Sequence, residues 1–291
     1  QRLLRLLSEG GVLFKRGLRH RLAPDLLADS IIQRNFIDAN GAASPKVQQV
    51  FDRADSQYMK HLLVNLGRLD WRLRNGVPEG STLLSSIANK LQWLDKYHNP
   101  HIEAVEAVAY YQPRLALDFA ARLIEQGHGE VSGVCGMVRN AAFNLEYLAD
   151  ACILLWRAGK SDARALNQQP SHGIRILKEL AEFAPQKPVQ CVEQVVTFAL
   201  DLLQRPATLQ GAYTPFSILE GALRTDMEEV SSSGHTITIT RYRLDLDLAK
   251  TVRGRVIDAI VSALRDGPPR KAFLAAELLS EALRSPMHDG E

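Results

Sequence analysis

One short phrase recurs three times in this chain, and it restricts what the chain can fold into. A-Y-Y-Q-P at Ala109–Pro113, A-A-F-N-L at Ala141–Leu145 and A-E-F-A-P at Ala181–Pro185 each close one helix-like stretch and open another. The stretches that follow match in register. Ala116, Ala120, Leu123 and Ile124 fall at i, i+4, i+7 and i+8, as do Leu148, Cys152, Leu155 and Trp156, and Val195, Ala199, Leu202 and Leu203. Each set is a single apolar stripe on a helix, and one helix cannot bury its own stripe. Helix pairs stacked side by side bury one another's stripes, which is the logic of a solenoid. The three phrases are 32 and 40 residues apart, and both spacings suit a two-helix repeat. The phrase is degenerate, so the expectation is a mainly α fold: an irregular helical-repeat solenoid of the HEAT or TPR kind.

The bulk properties remove several classes of function. The chain has 291 residues, enough for one large or two modest domains with real cores. Lys plus Arg number 35 and Asp plus Glu 33, a net charge of +2, too balanced for nucleic acid or an anionic membrane as the main partner. No apolar run approaches the roughly 20 residues that a membrane span needs. Cys135, Cys152 and Cys191 are widely spaced, and two sit in apolar helical contexts. They read as buried, reduced thiols and place the chain in the cytoplasm. The chain opens Gln-Arg-Leu-Leu, with no Met and no signal-peptide pattern, so it reads as a fragment of something longer.

Two segments depart from the helical pattern. A first helix at 1–8 stops at Gly10-Gly11; Val12–Arg16 and Leu18–Leu22 then read as two short strands around a glycine turn. Pro24 and Asp25 open the next helix, which runs to about Asp38 before Asn40-Gly41. Helix, hairpin and helix together suggest the end of a winged-helix module, with Lys15, Arg16, Arg19, His20 and Arg21 on its wing. Those cations suit DNA phosphates or a contact between domains; the plainer reading is a solvated hairpin packed on its neighbour. The second exception is His235–Arg243, which alternates with period two. Ser231–Gly234 reads as a turn before it, with Met227–Val230 pairing back, giving an inserted β-hairpin near 228–243.

Helices are expected at 44–51, 57–73, 82–96, 101–111, 114–126, 134–143, 145–158, 171–183, 189–204, 214–223, 246–265 and 269–284. The break at 75–81 divides residues 1–76, the winged-helix end with its linking helices, from a helical-repeat domain at 77–291.

Catalytic chemistry finds little purchase. Gly159-Lys160-Ser161 has the tail of a phosphate-binding loop. The glycine such a loop needs five residues earlier is Leu154, inside an amphipathic helix, and no strand precedes it. A helix ended by Gly159 and followed by a polar loop is the better account. His98 and His101 are separated by Asn99-Pro100 and lack further ligands. Asp118 and Asp150 recur 32 residues apart, which suits solvent-facing or capping positions better than acid–base work. Gly127-His128-Gly129 is a turn. Tyr110, Tyr111, Phe143, Trp156 and Phe183 read as core. No catalytic, cofactor-binding or metal-binding residue is assigned, and the chain is not expected to be an enzyme.

R-L-A-P-D-L-L-A-D (Arg21–Asp29), L-L-V-N-L-G-R-L-D-W-R (Leu62–Arg72), A-A-F-N-L-E-Y-L-A-D-A-C-I-L-L-W (Ala141–Trp156) and H-G-I-R-I-L-K-E-L-A-E-F-A-P-Q-K-P (His172–Pro188) carry a resemblance. They resemble the region downstream of the ATPase core in bacterial STAND-type NTPases, signal-transducing switch proteins many of which act in anti-phage defence. The resemblance implies a winged helix followed by a helical-repeat sensor, with Pro24, Asp25 and Asp29 facing the nucleotide core. It implies ATP and magnesium in an upstream core, since the family's Walker A lysine and Walker B acids match nothing in this chain. It also implies a protein ligand, contact with the core of the same polypeptide, and homo-oligomerisation on activation. Two other functions remain open on the residues alone: a nucleic-acid-binding module using the basic wing with Arg241, Arg243, Arg253 and Arg255, and a stand-alone helical scaffold.

Overall fold

Proline sets where many of the helices begin. Pro45, Pro100, Pro113, Pro215 and Pro269 each hold the first helical position, where a missing N–H costs nothing and a fixed φ favours the helix. In this computed structural model the described residues are 13–16, 19–22, 25–38, 43–53, 56–74, 83–84, 100–184, 187–224, 226–233, 236–243 and 246–283. They are mainly helical, with twelve α-helices and two antiparallel strand pairs. The expected helix at 1–8 and the breaks at 10–11, 40–41 and 75–81 lie outside the described residues. Of the helix expected near 82–96, Leu83 and Leu84 alone are described, as a buried turn. The chain divides into two compact units, Gln1–Phe119 and Ala120–Glu291.

The first unit opens with β1 (Leu13–Arg16) paired to β2 (Arg19–Leu22) and continues through α1 (Asp25–Phe36), α2 (Pro45–Arg53), α3 (Ser56–Leu73) and α4 (Pro100–Val108) into α5 (Pro113–Glu125). β2, α2 and α3 all pack on α1, and α3 lies along α4. That last contact needs Gly67: a Cβ there would come within 2.2 Å of Val108 Cγ2. On α3, Leu63, Leu66 and Leu69 are buried, and Leu73 in its last turn is 46% exposed. A polar network locks the same helices. Gln112 Nε2 donates to Asp70 Oδ2 at 2.7 Å and to Gly67 O at 3.3 Å, and Arg74 completes the pairing of the Asp70 carboxylate. Asp70 and Gln112 are both buried, so each needs the other. Beside them Tyr111 packs edge-on to Trp71, with the Arg68 guanidinium 5.9 Å from its ring centre.

The second unit holds α6 (Ser132–Ala142), α7 (Leu148–Ser161), α8 (His172–Ala181), α9 (Val189–Leu202), α10 (Pro215–Leu223), β3 (Asp226–Ser233), β4 (Thr236–Arg243), α11 (Leu246–Asp266) and α12 (Pro269–Leu283). α6, α8, α10 and α12 are successive neighbours, and so are α7, α9 and α11. Each row also packs on the other, α6 on α7, α8 on α7 and α9, α10 on α9 and α11, and α12 on α11. The stripes of α7 and α9 are buried at Leu148, Leu155, Val195 and Ala199, and that of α5 is buried at Ala120 and Leu123. Burying one such leucine contributes about 2 kcal/mol before side-chain entropy is subtracted.

β3 pairs with β4 from Asp226 opposite Arg243 to Ser233 opposite Thr236, so Ser231–Ser233 belong to the strand and not to the turn. α7 also differs from expectation. It does not end at Gly159 but runs through Lys160 to Ser161. Gly159 instead serves a helix crossing. A Cβ there would lie 2.5 Å from Ile174 Cγ1, and one on Gly173 would lie 2.1 Å from Leu155 O, so α7 and α8 touch backbone to backbone.

Candidate functional site

The Gly159-Lys160-Ser161 segment is helical and offers no loop to wrap a phosphate. Its lysine has another partner. Lys160 Nζ donates to Gln210 O at 2.6 Å and lies 5.4 Å from the centre of the Trp156 ring. From α12, Arg270 donates through Nε to Leu209 O at 2.7 Å and through a terminal nitrogen to Gly211 O at 3.0 Å. Three successive carbonyls are thus held by two cations from different helices, and Gly211 at φ 90° turns the chain so that they can be. Burial, and then the neighbouring Arg270 charge, push the Lys160 ammonium below its ordinary value. This cluster clasps the 206–211 turn between α7 and α12.

A second polar cluster anchors the segment between α7 and α8. Asp162 accepts two bonds from the Arg164 guanidinium, at 2.9 and 2.6 Å, and one from Ser171 N–H at 2.8 Å. The Arg164 hydrogen bonds hold its carboxyl down at about 2, against the opposing push of burial. His172 is pushed below its ordinary value by burial and then by Arg175. Lys187 closes the far end of α8, donating to Glu179 O and Glu182 O, each at 2.7 Å. These groups finish helices and secure loops.

The other candidates scatter. Asp118 is exposed and pairs with Arg114 one turn away at 3.2 Å, and Asp150 is exposed on α7. His101 is half-buried, which lowers its pKa, while His98 lies outside the described residues. Cys135 and Cys152 are buried, and burial pushes both thiols up to about 12, far from thiolate chemistry. Among the described residues, no group of His, Cys, Asp or Glu is placed to hold a metal ion, and no helix is long and apolar enough to cross a membrane.

The wing residues are described by backbone alone. Arg16 is directly opposite Arg19, Lys15 opposite His20 and Phe14 opposite Arg21. By strand alternation Arg16, Arg19 and Arg21 belong to one face of the ribbon and Lys15 to the other. Of the other expected cations, Arg255 donates to Thr197 Oγ1 at 3.0 Å, which ties α11 to α9.

Aromatic residues of the recurring phrase are not equivalent. Phe183 is buried, but Tyr110 and Phe143 are 45% and 46% exposed, and Trp156 is half-buried. Helical spacing placed all of them in the core; the turns between helices put two of them outside.

The two rows of helices in the second unit have different surfaces. Ion pairs cross the first row: Arg139 to Glu179 at 2.6 Å, Lys178 to Glu220, and Glu182 to Arg224 at 2.8 Å. Its charges are spent on its own neighbours. On the second row Arg157 pairs with Glu125 at 3.5 Å and Arg255 with Thr197, and these groups remain solvent-accessible. α7 presents Asp150, Ile153 and Arg157, α9 presents Gln194 and Thr197, and α11 presents Thr251 and Arg255. Ile153 is 48% exposed at the centre of the α7 face. Sequence periodicity separates buried from exposed positions on each helix, but not which helices would lie side by side. No protein-family model, curated protein or solved structure matches this chain.

Proposed function

We propose that this chain is a non-catalytic, protein-binding regulatory region: the winged-helix end and helical-repeat sensor of a larger STAND-like switch ATPase. Anti-phage defence is the setting that the sequence resemblance favours. The observation that carries the binding role is the packing of α6 to α12 in two parallel rows, α6, α8, α10 and α12 against α7, α9 and α11. That is the neighbour pattern of an irregular solenoid, in which each helix pair covers the next and one row is left as a continuous surface. β3 and β4 interrupt the array between α10 and α11 as an inserted hairpin. Among the described residues the Lys160–Arg270 and Asp162–Arg164 clusters serve as clasps.

The ligand is a folded protein that docks on α7, α9 and α11 around Ile153. Binding there biases a switch in the parent polypeptide by its differential affinity for the two states. ATP and magnesium belong to the upstream core in this reading. The test is site-specific photo-crosslinking in cells, with the reactive residue at Ile153 in one variant and at Phe143 in another. Capture of one protein from position 153 but not 143, abolished by Thr197→Arg, is the expected result. Equal capture from both positions, or none, contradicts it. ATP turnover by the purified chain that disappears in Lys160→Ala also contradicts it.

A second reading, nucleic-acid binding, draws on the register of the ribbon. Arg16 and Arg19 are direct cross-strand partners, and two cations at paired positions suit a polyanion. A steep fall of DNA affinity with salt, flattened by Arg16→Ala with Arg19→Ala, would select this reading.

A further inference from the structure

The last helix pair leaves an apolar face uncovered. On α11, Ile257, Val261 and Leu264 are 42%, 41% and 37% exposed at spacings of four and three. On α12, Phe273 is 61% exposed and Leu283 73%. Between the helices lies an open groove of about 390 Å³, lined by Leu264, Ala276, Leu279, Ser280 and Leu283. An exposed phenylalanine beside a row of branched aliphatics is unusual on a surface that meets water alone.

The charges beside this stripe identify its occupant. Asp258 and Arg265 flank it on α11, seven residues apart and therefore on the same face. Both are exposed, and neither makes an ion pair or hydrogen bond with another of the described residues. They are opposite in sign and equidistant from the midpoint between Val261 and Ser262. An antiparallel copy of α11 crossing at that midpoint sets each Asp258 level with the other copy's Arg265. The same crossing brings Ile257 of each copy within one turn of Leu264 of the other. Such self-complementarity is what a two-fold interface requires, where contact i to j is repeated as j to i. Gly254 lies one turn earlier, and among the described residues a Cβ there would meet nothing within 4 Å.

We propose that α11 and α12 form the two-fold interface of a homodimer, with Val261 at the axis, Phe273 and Leu283 as outer anchors, and reciprocal Asp258–Arg265 pairs at its edges. The interface needs no nucleotide, and it shares α11 with the proposed ligand surface while using residues other than Thr251 and Arg255.

The test is sedimentation equilibrium of the full chain and of four variants, with circular dichroism as the check on folding. The wild type is expected to sediment at twice the chain mass in the micromolar range. Val261→Glu is expected to sediment as a monomer with unchanged helicity. Asp258→Arg alone and Arg265→Asp alone each set two like-charge contacts against the dimer and should raise its Kd about tenfold. The double variant exchanges the two signs and should recover the wild-type Kd. A monomeric wild type overturns the proposal. So does a dimer indifferent to Val261→Glu, or a double variant no tighter than either single one.

Discussion

Four hydrogen bonds converge on the carboxylate of Asp162, three from Arg164 and one from Ser171. Its side chain is 1% exposed. Breaking a buried charged pair leaves donors without acceptors, so Asp162→Ala is expected to lower unfolding stability by about 2–3 kcal/mol in urea titration at neutral pH. The sign of the pH effect follows from the depressed value of about 2. An unfolded aspartate takes up its proton near pH 4, before the folded one does. The stabilisation is therefore complete above about pH 4 and is lost as the pH falls through 2. The Asp162→Ala variant should lack this part of the acid-side slope. The thiols give a second residue-scale prediction. Because burial pushes Cys135 and Cys152 up to about 12, they should resist a disulfide-exchange reagent at pH 8 until denaturant is added. Rapid labelling of both in the native protein would contradict their assignment to the core.

At the scale of elements, glycine decides which helices can touch. Gly173 sits where a methyl group would meet Leu155 O at 2.1 Å, and Gly221 where one would meet Lys178 O at 2.3 Å. The obstacle is backbone in both cases and cannot rotate away. Gly173→Ala should cost about 3 kcal/mol, despite alanine's better helix propensity, and thermal unfolding with helix content at 20 °C measures it. Gly127→Ala tests a different cause, since a Cβ there meets nothing within 4 Å and φ is 89°. It is expected to cost about 1 kcal/mol through backbone strain alone.

Much of this level was legible in the sequence. The phrase ending at Pro113 marked a helix start, and the spacing of Val195, Ala199 and Leu202 marked a buried face. What could not be read was pairing. Gly159 reads locally as a stop signal, and only the approach of Ile174 explains why it is a packing residue. Phe143 and Phe183 occupy matching places in a recurring phrase, yet one is exposed and the other buried. The clasps built by Lys160, Arg270 and Asp162 were equally hidden, because their partners are carbonyls and a loop N–H that no side-chain motif announces.

On the scale of the whole chain, the proposed array makes stability a matter of neighbours. α8 touches α6, α7, α9 and α10, whereas α12 touches α10 and α11. Helix pairs packed in series open from their ends, and the free energy of opening rises toward the middle. Among the described residues of the second unit no further layer packs on α7, α9 and α11, so the proposed binding role and the graded stability share one origin. Native-state hydrogen exchange of the intact chain tests this most directly. The account predicts opening free energies that climb from α12 through α10 to a maximum in α8. One common opening free energy across α6 to α12, as a single cooperative core would give, would contradict it.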